Sequence, residues 1–400
     1  MVTAPGGTAL HELRVIEIAN FVSGPLIGQI LADLGAEVTK VEKIDGGDDA
    51  RALPPLIDGD GYFYAQYGRN KRSVAVNLKD PAGAELVMGL LREADVVIDN
   101  FRPGALLRAG IDYEAARAEN PGLVSCSVSG FGPGNRYTER AAYDPILQGM
   151  AGLMLSTGFD GDPPVRAGSP VVDLTTALLG TIGVLAALQE RGESGKGQHV
   201  DVSLLGSSAL LMGSSIFSYW ASGKAMQRGT REQLANSLVP VVETADGRAI
   251  TFSLGNYGIF RRFCVAAGRE DLLEDPRFAD IRAVSQHMDE LGPVLSEVIG
   301  GRDLAFWDEA LSAHGIPWGP VNDVVQFFDD DVVRDAFVGS VARNGTEIPA
   351  IRTPVSLSRS GQSEFAPPVR LGADTNEILE SRLGVSAERL AALREQGVIG

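Results

Sequence analysis

What most limits the folds open to this chain is the regular alternation of strand and helix patterns across its first half. A β-branched apolar run, LRVIEIA (13–19), ends in the loop NFVSGP; a helix pattern, LIGQILADLG (26–35), follows, and then a strand pattern, AEVTKVEK (36–43). The same order returns with SVAVNL (73–78), AGAELVMGLLREA (82–94) and DVVIDNF (95–101), then a helical piece near 112–119 and LVSCSVSGF (123–131). A crossover helix returns the chain to the same end of the sheet, so the expectation is a mostly parallel sheet with helices on both faces. Asp80 and Pro81 read as N-cap and first residue of the second helix. The loop-rich segment 130–170 then belongs at the carboxyl ends of the strands, where doubly wound sheets bind ligands. A long helix over 174–191 and an apolar helix through Trp220 follow.

At 400 residues the chain exceeds what one core usually serves. The polar connector GKAMQRGTREQLANS, from about 224, marks a domain boundary. Beyond it VPVVETADGRAITFSL reads as a hairpin with Asp246-Gly247 in the turn, helical segments run to about 314, and short strands return from about 335. The net charge of −17 opposes general binding to nucleic acid or to anionic membranes, although a local basic pocket could still hold a small anion. His11, His199, His287 and His314 are scattered, with no HxxxH or CxxC pair, so no metal site is expected. Two distant cysteines, Cys126 and Cys264, fit a reducing cytoplasm, and MVTAPGGTALHEL carries no secretory pattern. The apolar stretch 177–188, broken by glycines, reads as too short for a membrane span.

Glu42 closes the second strand where a dinucleotide-binding protein keeps its ribose-binding acid, but the turn NFVSGPLIG lacks G-x-G-x-x-G. SGFGPG (129–134) and SGKGQ (194–198) read as turns, and no G-x-S-x-G elbow is present. More informative are basic residues near predicted strand ends: Lys43, Arg69, Lys71, Arg72, Lys79, Arg102 and Arg108. Gathered at one edge they would form a phosphate-attracting rim on an acidic protein. Asp173, ahead of the long apolar helix, has two compatible readings. It is an N-cap, or a carboxylate held ionised by the helix N-terminus and suited to be a nucleophile. Tyr143 alone reads as a half-buried aromatic.

Four blocks carry a family likeness: LRVIEIANFVSGPLIGQILADLGAEVTKVEK, NKRSVAVNLKDPAGAELVMGLLREADVVIDNFRPGAL, YDPILQGMAGL and DLTTALLGTIGVLAALQERGESGKGQHVDVSLL. They resemble the class III coenzyme A transferases, relatives of formyl-CoA:oxalate transferase and carnitine CoA-transferase. The likeness spans residues 10–210 and continues more weakly through DPRF (275–278) and GIPWGPVND (315–323). It implies an α/β fold with a large Rossmann-like domain from 1–223 and 331–400, a smaller α+β domain over 224–330, and two chains interlocked as a homodimer. It implies coenzyme A as co-substrate with no permanently bound cofactor, and acyl-CoA and small carboxylic acids as partners. Asp173 matches the family nucleophile. Lys43, the run Val76, Asn77, Leu78 and Lys79, then Asn100, Phe101, Arg102 and Arg108 match the CoA nucleotide side. Val22 and Ser23, with Tyr143 and Asp144, match the thioester end.

Two departures point away from formyl-CoA and oxalate as substrates. Val22 stands where formyl-CoA transferase has a glutamine, and the small domain lacks a run of consecutive glycines. The implied reaction is transfer of CoA between an acyl-CoA and a carboxylate, through an aspartyl mixed anhydride and then an aspartyl-CoA thioester. The rival within the superfamily is an α-methylacyl-CoA racemase, whose histidine is replaced here by Tyr143. A phenol with a pKa of about 10 substitutes poorly for an imidazole at about 6.5. A non-catalytic CoA-binding homologue is the third reading, and it leaves Asp173 without a purpose.

Overall fold

Six strands build the central sheet: β1 (Arg14–Ile18), β2 (Glu37–Glu42), β3 (Lys71–Ala75), β4 (Val96–Asp99), β5 (Val124–Ser129) and β6 (His199–Ser203). Their spatial order is β3-β2-β1-β4-β5-β6 and every neighbouring pair is parallel. The computed structural model describes residues 6–225, 228–230, 234 and 236–400; the first five residues and part of the connector at the expected domain boundary lie outside the described residues. The direction of winding reverses between β1 and β4, which leaves a crevice at their carboxyl ends. The strands are apolar because both faces are covered: Val15, Ile18, Val38, Val74, Val96, Val97 and Ile98 are all buried.

Helices α1 (Ser23–Asp33), α2 (Tyr62–Tyr67), α3 (Pro81–Leu91), α4 (Asp144–Met150), α5 (Val171–Ser194), α6 (Leu204–Leu211) and α7 (Gly213–Ser222) surround the sheet or extend from it. The Asp80 side chain caps α3 by accepting from Ala82 N at 2.9 Å, with Pro81 in its first turn. Helix α5 is longer than its apolar stretch suggested. By length and composition it is sufficient to cross a membrane, which corrects the reading of 177–188 as too short. One of its faces is nevertheless packed against protein. A Cβ added to Gly180 would lie 2.5 Å from Ile27 of α1, and one on Gly183 would lie 2.6 Å from Val200 of β6.

The C-terminal tail closes the β3 edge. Asn77 N donates to Val398 O at 2.8 Å, Ala75 N donates to Thr375 Oγ1 at 3.1 Å, and Val76 forms an antiparallel bridge with Ile399. In the tail hairpin Val338–Arg343 and Thr346–Ile351, Asn344 and Gly345 both take positive φ, as a two-residue primed turn requires.

The chain divides into two compact units, one of 1–153, 166–223 and 334–400 and the other of 154–165 and 224–333. The short piece 154–165 thus belongs to the second unit, although in sequence it interrupts the first. The second unit holds a three-stranded antiparallel sheet, Val241–Glu243, Ala249–Phe252 and Trp318–Pro320, with Gly247 at positive φ in the predicted hairpin turn. Phe252, Phe260, Phe263 and Trp307 fill its core, and the Trp307 indole donates to Ile299 O at 2.9 Å.

Candidate active site

The site begins at the turn from β1 into α1. Asn20 and Asn100, at the ends of β1 and β4, bridge the crevice: Asn20 N donates to Asn100 Oδ1 at 2.9 Å and Asn100 Nδ2 donates to Asn20 O at 2.6 Å. Phe21 takes φ of 64°, a conformation that costs a non-glycine residue about 1 kcal/mol. A hydrogen bond to a buried ion-paired carboxylate holds it there. Phe21 N donates to Asp48 Oδ1, and Asp48 in turn pairs with Lys40 at 2.9 Å. Lys40 also reaches Glu17 at 2.7 Å, and Glu17 reaches Lys71 at 2.6 Å, all of them buried within the sheet. Such charges survive burial only when paired and hydrogen-bonded, and Lys40 and Lys71 each bond a further carbonyl, Ala19 O and Pro25 O.

Helix α1 starts without a side-chain cap. Facing it is the start of α5. Here the two readings of Asp173 separate. Asp173 does not cap α5; Asp144, 29 positions earlier, does so from α4. Asp144 Oδ2 accepts from Val172 N at 2.7 Å and Asp173 N at 3.1 Å, while its Oδ1 accepts from Gln148 Nε2 at 2.5 Å. Gln148 Oε1 then accepts from Ala167 N at 2.9 Å, which fixes the segment leading into α5. The Asp173 side chain is left free of the helix. Burial and the neighbouring Asp144 charge push its carboxyl up to about 7, against the pull of a hydrogen bond from Ser23. This corrects the expectation of a carboxylate held ionised by the helix N-terminus, because Asp144 has already taken those N–H groups.

Two open cavities meet at Asp173. The first contains Asn20, Ser23, Asn100, Phe101, Arg102, Ser129, Thr138 and Arg140; the second contains Tyr62, Phe63, Gln66, Tyr67, Asp144, Gln148 and Arg166. Phe21, Val22, Tyr143 and Asp173 line both. Their empty volumes of about 920 and 1310 Å³ include the open solvent at the mouth of each. Tyr143 is 61% exposed, and its ring meets Phe21 edge-on at 6.1 Å. Burial, the Asp173 charge and Tyr62 push the Tyr67 hydroxyl up to about 12, so it is a neutral donor beside the carboxyl.

A family model described as CoA-transferase family III matches residues 10–375. Succinate–glutarate CoA-transferase from Agrobacterium fabrum is 38% identical over 92% of this chain and 94% of its own length. Succinyl-CoA–D-citramalate CoA-transferase from Chloroflexus aurantiacus is 33% identical over 98% of each. A crystal structure of a CAIB/BAIF family protein from Brucella suis superposes with a TM-score of 0.82 at 33% identity, over 94% of this chain and 100% of that one. The chain belongs to CoA-transferase family III. It is a class III CoA-transferase, an enzyme whose co-substrates are CoA thioesters.

In this transferase Val22, Ser23, Asn100, Phe101, Arg102, Tyr143 and Asp173 come together around the first cavity. Asp144 lines the second, committed to capping α5. The remaining expected CoA residues lie away from both cavities. Val76 is buried under Ile399, Asn77 bonds the tail, and Leu78 packs on the core beside them, while Lys79 and Arg108 are exposed. Lys43 pairs with Asp49, which itself lines the first cavity. The phosphate-attracting rim is reduced as well. Arg69 pairs with Asp33, Lys71 with Glu17 and Arg72 with Asp374, so these three charges are neutralised inside the fold. Glu42 is not placed for a ribose: burial works to raise its pKa, but hydrogen bonds from Arg51 and the charge of Lys40 bring it down to about 2. The sequence reading missed Tyr62, Phe63 and Tyr67. The signal was present, since Tyr62, Phe63, Tyr64 and Tyr67 crowd into six residues of a chain with only 6% aromatics.

Proposed function

We propose that this transferase moves CoA from an acyl-CoA to a small dicarboxylic acid through covalent intermediates on Asp173. The observation that carries the proposal is a carboxyl at the meeting point of two cavities, relieved of its capping duty by Asp144. In the proposed sequence an Asp173 carboxylate oxygen attacks the thioester carbonyl carbon, the C–S bond breaks, and CoA leaves as thiolate from a mixed anhydride. The thiolate then attacks the Asp173 carbonyl carbon, releasing the donor acid as carboxylate and leaving an aspartyl-CoA thioester. An incoming carboxylate runs the two steps in reverse. No redox partner is consumed.

Carboxylates are weak nucleophiles, so positioning must supply most of the acceleration. Holding the reactants against Asp173 can contribute about 7–11 kcal/mol, and the uncapped first turn of α1 offers donors for the developing oxyanion. Arg102 and Arg140, which have no acid partner among the described residues, suit the anionic CoA handle on the first cavity. Lys43, Lys79 and Arg108 are proposed to meet its more distant phosphates. Dicarboxylic acids are proposed because the relatives above are named for succinate, glutarate and D-citramalate. Within that class the longer acids are favoured over oxalate, with formyl-CoA as donor, since Val22 lines the cavity at the position of the formyl-CoA transferase glutamine. We further propose a homodimer working in the cytoplasm, with the exposed apolar face of α5 against a second copy.

The test is direct. Mass spectrometry of the enzyme mixed with succinyl-CoA should find CoA attached at Asp173, and Asp173→Ala should abolish transfer. A fully active Asp173→Ala enzyme ends the proposal. A carboxyl pushed up to about 7 also suits proton transfer, the racemase chemistry, but among the described residues no histidine lines either cavity. Deuterium uptake at the α-carbon without an acceptor acid would favour that rival.

A further inference from the structure

We infer that Arg166 selects the acceptor, pairing with the far carboxylate of a dicarboxylic acid whose near carboxylate reacts at Asp173; this rests on the transfer reading above. Among the described residues that line the second cavity, Arg166 is the one that is basic. Among the described residues its guanidinium has no acid partner. Nor does the charge serve Asp144, whose two oxygens are already satisfied by Val172 N, Asp173 N and Gln148.

Position supports the same assignment. Arg166 precedes Ala167, whose N–H is held by Gln148, and Gln148 is held by Asp144. One hydrogen-bonded chain therefore sets the backbone beside Arg166 and the helix start that carries Asp173. The same cavity is lined by Tyr62 and Phe63, stacked at 4.1 Å, an apolar surface that suits methylene groups. A monocarboxylic acid bound at Asp173 leaves the guanidinium unused. A dicarboxylic acid brings a second charge into an acidic protein, and a planar guanidinium is the side chain best shaped to receive it, with two parallel hydrogen bonds.

The experiment compares two acceptors with the purified full-length enzyme and succinyl-CoA as donor. Glutarate and pentanoate have the same carbon chain and differ at the far end. The readout is the glutarate-to-pentanoate ratio of kcat/KM, in which any effect of the variant on the common donor cancels. Wild type should favour glutarate, and Arg166→Gln should lower the ratio about 10- to 100-fold, the range expected for a charge-assisted hydrogen-bond pair. Arg166→Lys should fall in between. An unchanged ratio, whether or not both rates drop together, overturns the role of Arg166 and leaves the transferase reading standing. Failure of wild type to transfer CoA to either acid overturns that reading, and the inference with it.

Discussion

Asp144 and Asp173 share one helix start and divide its work: one carboxylate takes the backbone N–H groups and the other is left facing the cavities. That division sets a pH dependence. In the proposed mechanism only ionised Asp173 attacks, and burial with the Asp144 charge pushes its carboxyl up to about 7. In the free enzyme kcat/KM should therefore rise about tenfold per pH unit below 7 and level off above about 8. Stability runs the other way. The unfolded chain loses this proton near the ordinary value of 3.8 and the folded chain keeps it to about 7, so stability falls as pH rises across that window. Asp173→Asn removes the slope and should gain roughly 2–4 kcal/mol over wild type at pH 8, with little gain at pH 4. Urea unfolding at both pH values measures it, and an equal difference at both contradicts the assigned cause. The sequence made Asp173 visible through its place before a long apolar helix. It hid the capping partner, because Asp144 reaches the helix from 29 positions away, a distance no local pattern spans.

At the scale of elements, β-branched runs and the Asp80-Pro81 cap were legible because strand and helix periods are local. The buried cations were not. Glu17, Lys40 and Lys71 sit on three different strands and find each other only when the sheet forms. Helix α2 was invisible for another reason: six residues are too few to display a helical period. The ion cluster also dictates how α1 lies on the sheet. A Cβ on Gly28 would stand 2.0 Å from Glu17 Oε2, and Glu17 cannot yield without breaking its bonds to Lys40 and Lys71. Gly28→Ala should therefore destabilise the fold by about 2–5 kcal/mol, far beyond the small helix-propensity gain of alanine. A shift in the urea midpoint reports it. A neutral or stabilised variant would mean that the close approach of α1 to β1 is not as described.

For the whole molecule, alternation announces a parallel sheet but not the order of its strands, since a crossover can add the next strand at either edge. The observed order puts the winding reversal between β1 and β4, and the loops that follow those two strands line the first cavity together with the longer loop that follows β5. The exposed face of α5 raises a separate question of scale. Leu178, Ile182 and Leu185 form a stripe at helical spacing, and Leu210 of α6 with Phe217 and Trp220 of α7 are exposed as well. So much apolar surface is costly in water, and an acidic chain is poorly suited to hide it in an anionic bilayer. A second copy of the chain offers a matching apolar face by symmetry. Wild type should then sediment as a dimer at micromolar concentration. Changing Leu178 and Ile182 together to glutamate places two charges on each side of that contact and should yield monomers with the α5 helix intact by circular dichroism. A wild-type monomer, or a double variant that still dimerises, would remove α5 from the interface and leave its apolar stripe in need of a different partner.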